Sequence, residues 1–272
     1  MWLVYLVLGI ALLYTALVSV AALSQTRMLF PAQMAAANRP TLPSSAERLE
    51  LTTSDGERLL GVRLGSPSEL KPVLLGFGGN AWNAEAMALY LHGLFPDHEV
   101  IAFHYRGYPP SSGEPSAKAL FDDSLAIFDH LQRERARKVV AVGFSIGSGV
   151  AAHLAHHRPV AGLVLVTPFD TLKALAGEHF PWAPAGLLLR HHMPTIDLVK
   201  GQSTPAALIA AGRDTIVPAR RTEPLRGAIP NLVLDRTIAD AGHNDLYNHP
   251  AFTAAMREAL ALFDAAAPQK LP

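Results

Sequence analysis

The chain has 272 residues, enough for one large α/β domain or two small ones with a substantial core. Its 23 Lys and Arg are balanced by 23 Asp and Glu, so there is no global basic field to attract a phosphate backbone, and nucleic acid is not expected as a partner. Cysteine is absent, which excludes disulfides, thiolate nucleophiles and cysteine metal sites and leaves the chemistry to oxygen and nitrogen.

No side chain from Trp2 to Leu23 is charged. About 20 apolar residues rising ~1.5 Å each match a hydrocarbon core of ~30 Å, so residues 1–25 read as an N-terminal membrane anchor. A secretory signal is the competing reading, with Ser19-Val20-Ala21 as its cleavage site. The length of the run and the lack of Lys or Arg before it favour an uncleaved anchor. Arg27, Arg39 and Arg48 follow the span, and the positive-inside tendency favours a single pass with the main domain on the cytoplasmic side. Residues 26–46, including FPAQMAAANRPTLPSS, show no hydrophobic period and read as a juxtamembrane linker or a segment lying over the domain.

The folded domain is expected over 47–266, with 267–272 as a tail. ERLELTT and ERLLGVRLG flank Ser54-Asp55-Gly56, an Asp-Gly turn that signals an antiparallel hairpin. The pattern then changes to unbroken apolar runs at Val73 to Phe77, Val100 to Tyr105, Val139 to Phe144, Gly162 to Val166 and Ala206 to Ala211, which suit strands buried on both faces. Segments of helical length lie between and after them: Asn83 to Leu94, Ser116 to Arg133, Ile146 to His157, Ala219 to Gly227 and Pro250 to Ala265. The expected fold class is therefore α/β, a mostly parallel sheet entered through a hairpin, with helices on both faces. Phe169 to Asp197 interrupts the alternation with Pro-punctuated helical pieces, and reads as a small cap over a pocket.

In an open parallel sheet, ligands bind beyond the carboxyl ends of the strands. The turn GFSIG places Ser145 there, with Gly143 and Gly147 where side chains would collide with backbone. Such a turn exposes the serine Oγ, and the amide of Ile146 at the helix start can donate to an oxyanion. The competing reading makes Ser145 a helix cap. A serine hydroxyl needs a base held by a third group. His243, in the glycine-flanked loop DAGHNDL before the last helix, stands where the chain order serine, acid, histidine expects the base. Asp214, just past an apolar run in AALIAAGRDTIVP, is the acid candidate, and Asp170 is its better rival. Asp240 and Asp245 are too near His243 in sequence to face its Nδ1 comfortably. The second oxyanion donor is expected from GFGGNAWN, at the amide of Asn80 or, as alternate, Gly79. Neither glycine-rich turn carries a P-loop lysine or a full dinucleotide fingerprint, so nucleotide is not expected.

These stretches, with QTRMLFP, GGNAWN, YRGYPPSSGEPS, TPFDTL, FPWAPAGLLLR, GRDTIVP and AGHNDL, resemble the α/β-hydrolase superfamily over roughly residues 25–263. The resemblance is closest to the membrane-anchored subgroup with acyl-protein thioesterase-like and lysophospholipase-like members, also described as serine aminopeptidase-like. It implies Ser145 as nucleophile, Asp214 as acid, His243 as base, and oxyanion donation from Ile146 and the Asn80 region. Where that subgroup usually has His-Gly-Asn-Ala-Gly-Asn, this chain has Gly78-Gly79-Asn80-Ala81-Trp82-Asn83, and Pro109 stands where a glycine is usual.

Trp82 and Trp182 are candidate pocket walls, although simple packing serves large aromatics as well. His156-His157 and His191-His192 lack an H-E-x-x-H pattern or neighbouring carboxylates, so no metal is expected, and no cofactor. Asp122-Asp123 reads as the solvated face of a helix, and Ser148 as packing inside the turn helix. The expected activity is that of a membrane-anchored serine hydrolase acting on an acyl ester or thioester, such as a monoacyl lipid or a lipidated protein. A serine peptidase of the same fold, or a noncatalytic binding module at a membrane, are the alternatives.

Overall fold

The structure is a computed structural model describing residues 1–37, 39–68 and 70–266; the expected tail, 267–272, lies outside them. Gly56 takes a φ of +89°, the left-handed value that the Asp-Gly turn demands, and folds β1 (Glu47–Thr52) back on β2 (Arg58–Leu64). Six further strands follow: β3 (Val73–Phe77), β4 (Val100–Phe103), β5 (Val139–Phe144), β6 (Gly162–Val166), β7 (Ala206–Ala211) and β8 (Leu232–Ile238). They form one sheet in the order β1-β2-β4-β3-β5-β6-β7-β8, antiparallel through β1, β2 and β4 and parallel thereafter.

The unbroken apolar runs have a direct cause. On β5, Val139 and Ala141 enter one core while Val140, Val142 and Phe144 enter the other, and β6 divides in the same way. One face is covered by α3 (Ala84–Leu94) and α10 (Pro250–Ala266), the other by α4 (Ala117–Glu134), α5 (Ile146–His157) and α9 (Ala219–Ala228). Side chains start the helices where the sequence expects: Asn83 accepts from the amides of Glu85 and Ala86, and Ser116 from that of Ala119. Asp122 pairs at the surface with Lys118, but Asp123 departs from the solvated-face expectation. It is buried and takes a two-pronged bond from Arg106, which also reaches Asp55 and so fastens the hairpin turn to α4.

The N-terminal helix α1 runs from Trp2 to Leu29, past the expected anchor boundary, and is the one helix among the described residues long and apolar enough to cross a membrane. The segment after it follows the second reading, lying over the domain: Phe30 and Ala35, the latter in α2 (Ala32–Ala37), belong to the core, and Asn83 Nδ2 donates to Ala35 O at 3.1 Å. The cap comprises α6 (Leu172–His179), α7 (Ala185–Leu188) and α8 (Thr195–Val199), and α1 is bonded to it. Gln25 accepts from Arg190 N (2.7 Å) and donates to Leu188 O (3.1 Å), Thr26 Oγ1 meets His191 Nε2 (2.8 Å), and Tyr14 OH donates to Trp182 O (2.9 Å).

His104, buried at the end of β4, is pushed down to about 4 by desolvation, against the pull of Glu85. Its folded value is depressed, so its neutral form is favoured in the fold, and stability falls as pH drops below the unfolded value toward 4. Each pH unit below ~6.5 costs about 1 kcal/mol through this group. Urea titrations at about pH 7 and about pH 5.5 should show the loss, and His104→Gln should reduce it by about 1 kcal/mol. An unchanged acid sensitivity would remove His104 as its cause.

Candidate active site

The four loops that matter leave the carboxyl ends of β3, β5, β7 and β8, and β3 lies between β4 and β5 where the order of the sheet reverses. That reversal opens the crevice. At the end of β5 the chain must turn within one residue into α5, and Ser145 does so with φ +52° and ψ −116°, a strained conformation for a residue with a side chain. Its amide donates to Val166 O (2.8 Å) and its carbonyl accepts from Ser148 N (2.9 Å). A Cβ on Gly147 would fall within the carbonyl of Phe77 on β3, and one on Gly143 within the carbonyl of Gly147. Ser148 locks the turn from inside, its hydroxyl proton shared between Gly143 O (3.0 Å) and Val166 O (3.1 Å). The Ser145 side chain makes no cap bond to α5, so the cap reading fails, and the residue lines a cleft instead. Ile146, first residue of α5, presents one of the amides that a helix start leaves without an intrahelical partner.

His243 Nδ1 lies 2.7 Å from Asp214 Oδ2. The other carboxylate oxygen, Oδ1, accepts from the amides of Ile216 (2.9 Å) and Val217 (2.7 Å), so the loop after β7 orients the carboxylate independently of the histidine. Both side chains are buried. With Nδ1 donating to the carboxylate, Nε2 is left as the basic nitrogen. The rival acids are engaged elsewhere: Asp170 with the Thr171 amide (2.6 Å) and Arg221 (3.3 Å), Asp240 with Arg213 (2.7 Å), and Asp245 with the Gly242 amide (2.6 Å).

The loop after β3 is braced in a way the sequence reading missed. Tyr105 OH donates to Gly78 O and Tyr108 OH to Asn80 O, each at 2.7 Å, and Trp82 N donates to Gly79 O at 3.1 Å. The peptide planes on both sides of the Gly79–Asn80 bond are thereby fixed, and with them the direction of the Asn80 amide. Burial raises both phenols well above their ordinary range, so they remain donors at any working pH. Two tyrosines in YRGYPPSSG were the available signal, but nothing local shows which carbonyls they reach.

The cleft has a volume of about 490 Å³ and holds Ser145, His243, Asn80 and Ile146 together. Its far wall is apolar, with Leu29 from α1 and Phe169, Leu172, Leu175 and Phe180 from the cap region. Trp82 both lines the cleft and packs, its ring 5.1 Å from Phe144 and 4.9 Å from Tyr247. Trp182 departs from the pocket-wall expectation: it is 45% exposed on the cap, outside the cleft lining. The paired histidines are spread among separate partners, His156 on Leu198 O, His157 on His153 O and His191 on Thr26.

A family model described as the alpha/beta hydrolase fold matches residues 73–192. An uncharacterised protein of Mycobacterium tuberculosis is 33% identical over 231 residues, covering 82% of each chain. The lysophosphatidylserine lipase ABHD12 of Xenopus tropicalis is 28% identical over 173 residues, covering 54% of this chain and 44% of its own. Among solved structures, an esterase of Pyrococcus furiosus superposes with a TM-score of 0.64 at 18% identity, over 83% of this chain and 95% of that one.

Gly147→Ala should separate α5 from β3 and destabilise the fold by at least about 2 kcal/mol. Thermal unfolding measures it, and an unchanged melting temperature would contradict the close approach described.

Proposed function

Because this chain belongs to the α/β-hydrolase family, as its match to the family model and its 33% identical relative show, we propose that it is a serine hydrolase of acyl esters or thioesters. The bond between His243 and Asp214 carries the reading, because it joins residues of two separate loops at the cleft lined by Ser145. His243 Nε2 takes the Ser145 proton as Oγ attacks the acyl carbonyl, and Asp214 stabilises the imidazolium that forms. The amides of Ile146 and Asn80 receive the oxyanion. Collapse of the tetrahedral adduct breaks the bond to the leaving group, which takes the proton from His243 and departs. Water then attacks the acyl-serine, giving its proton to the same nitrogen, and Ser145 is regenerated as the acid leaves.

An apolar cleft supports an acyl substrate, as does similarity to a protein named as a lipase. A peptidase specific for a free amino terminus needs a carboxylate to receive it, and among the described residues lining the cleft there is none. The length and composition of α1 support a membrane anchor, and Arg27 in its last turn and Arg39 after it favour a cytoplasmic domain. Protease protection in sealed vesicles reads the side directly.

A fluorophosphonate probe should label the parent and leave Ser145→Ala unlabelled. His243→Ala and Asp214→Asn should slow labelling by about 10³-fold or more. A folded parent that stays unlabelled would sink the proposal and leave the noncatalytic binding reading. Tyr108→Phe should lower kcat about tenfold with little change in KM, the signature of a lost brace on oxyanion binding. Equal changes in KM would place Tyr108 in substrate binding instead.

A further inference from the structure

A second cavity, of about 170 Å³, lies between α1 and the cap. Its walls include Val18, Ala21 and Ala22 from α1 and Ala183, Ala185 and Leu188 from the cap. Gln25 is its polar wall residue, and that side chain is fully engaged: Nε2 donates to Ala22 O (2.6 Å) and Leu188 O (3.1 Å), and Oε1 accepts from Arg190 N (2.7 Å). The cavity therefore offers little to water and much to a hydrocarbon.

Leu29, Ala176 and Phe180 line both this cavity and the cleft at Ser145. The two spaces share a wall. The cap also sits at the level of the apolar run, because Tyr14, seven residues before Ala21, bonds to Trp182 O. At 1.5 Å per residue that contact is ~10 Å further along α1 than Ala21. Leu187 (87% exposed), Trp182 (45%) and Leu188 (37%) of the cap stand uncovered, as expected of an element dipping into a leaflet.

We propose that the α1–cap cavity is the acyl-chain site, in which the tail of a long-chain ester or thioester leaves Ser145, passes Leu29, Ala176 and Phe180, and lies along α1. The substrate class is accordingly a membrane-resident long-chain acyl compound, drawn sideways from the bilayer through a passage that the anchor itself helps to wall. The inference rests on the hydrolase reading above. It makes α1 part of the substrate site as well as a tether.

The test uses the full chain in lipid nanodiscs and a hexadecyl fluorophosphonate bearing a terminal diazirine. After Ser145 is labelled, irradiation should join the tail to peptides covering residues 18–29 and 183–189. Cross-links confined to Ile216 and Asn244, exposed residues that line the cleft at Ser145, would overturn the proposal. Independently, Ala22→Phe should fill the cavity and lower kcat/KM for a palmitoyl ester by about tenfold relative to a butyryl ester, on the scale of lost apolar contact. An unchanged ratio with both esters turned over overturns the chain site and leaves the hydrolase reading standing. No labelling and no butyryl turnover by the folded parent overturns both. If Ala22→Phe does not fold, the cross-link on the unaltered chain decides.

Discussion

The close approach of α5 to β3 governs this molecule. Gly147 lies so near the Phe77 carbonyl that no Cβ fits, and Gly143 faces the same restriction against the carbonyl of Gly147. This contact allows the chain to reverse within one residue, holding Ser145 at positive φ. It also presses the loop after β3 against the start of α5, bringing Asn80 and Ile146 into one cleft. The strain at Ser145 persists because neighbours over-determine it: Ser148 bonds across the turn to β5 and β6, and the Ser145 amide is tied to β6.

The other two groups reach the cleft through a different constraint. Asp214 is oriented by amides of its own loop, a local arrangement that a Gly-Arg-Asp turn adopts readily. Its other oxygen meets Nδ1 of His243 from the loop after β8. The carboxylate is thus held by backbone amides, and the imidazole by the carboxylate. The loop after β3 is fixed in a third way, by two phenols from the connection after β4.

Local signals carried far in this chain. The Asp-Gly hairpin, the glycine spacing around Ser145 and the apolar runs all express constraints satisfied within a few residues, and the helix beginning at Ile146 and ending at His157 is found with those bounds. The placement of Ser145, Asp214 and His243 at one end of the sheet was legible because each follows a strand end. Contacts between distant segments were not legible. The burial of Asp123 depends on Arg106 folding back over α4, and the role of Tyr108 depends on a carbonyl 28 residues earlier. The reading of residues 26–46 stayed divided because Phe30 and Ala35 find their core only when the sheet exists. For Trp182 the sequence left wall and packing both open; its carbonyl accepts from Tyr14, and its ring packs edge-on to Phe180 outside the cleft lining.

The bonds from Tyr14, Gln25 and Thr26 to the cap make α1 and the cap one mechanical body. A transmembrane helix answers bilayer thickness by tilting, leaning over in a thin membrane and standing up in a thick one. Leu29, Ala176 and Phe180 wall the cleft from that same body, so in the proposed anchored state a change in tilt would reach the space above Ser145. On the proposed anchoring, the thickness of the surrounding membrane would be built into the geometry of the cleft.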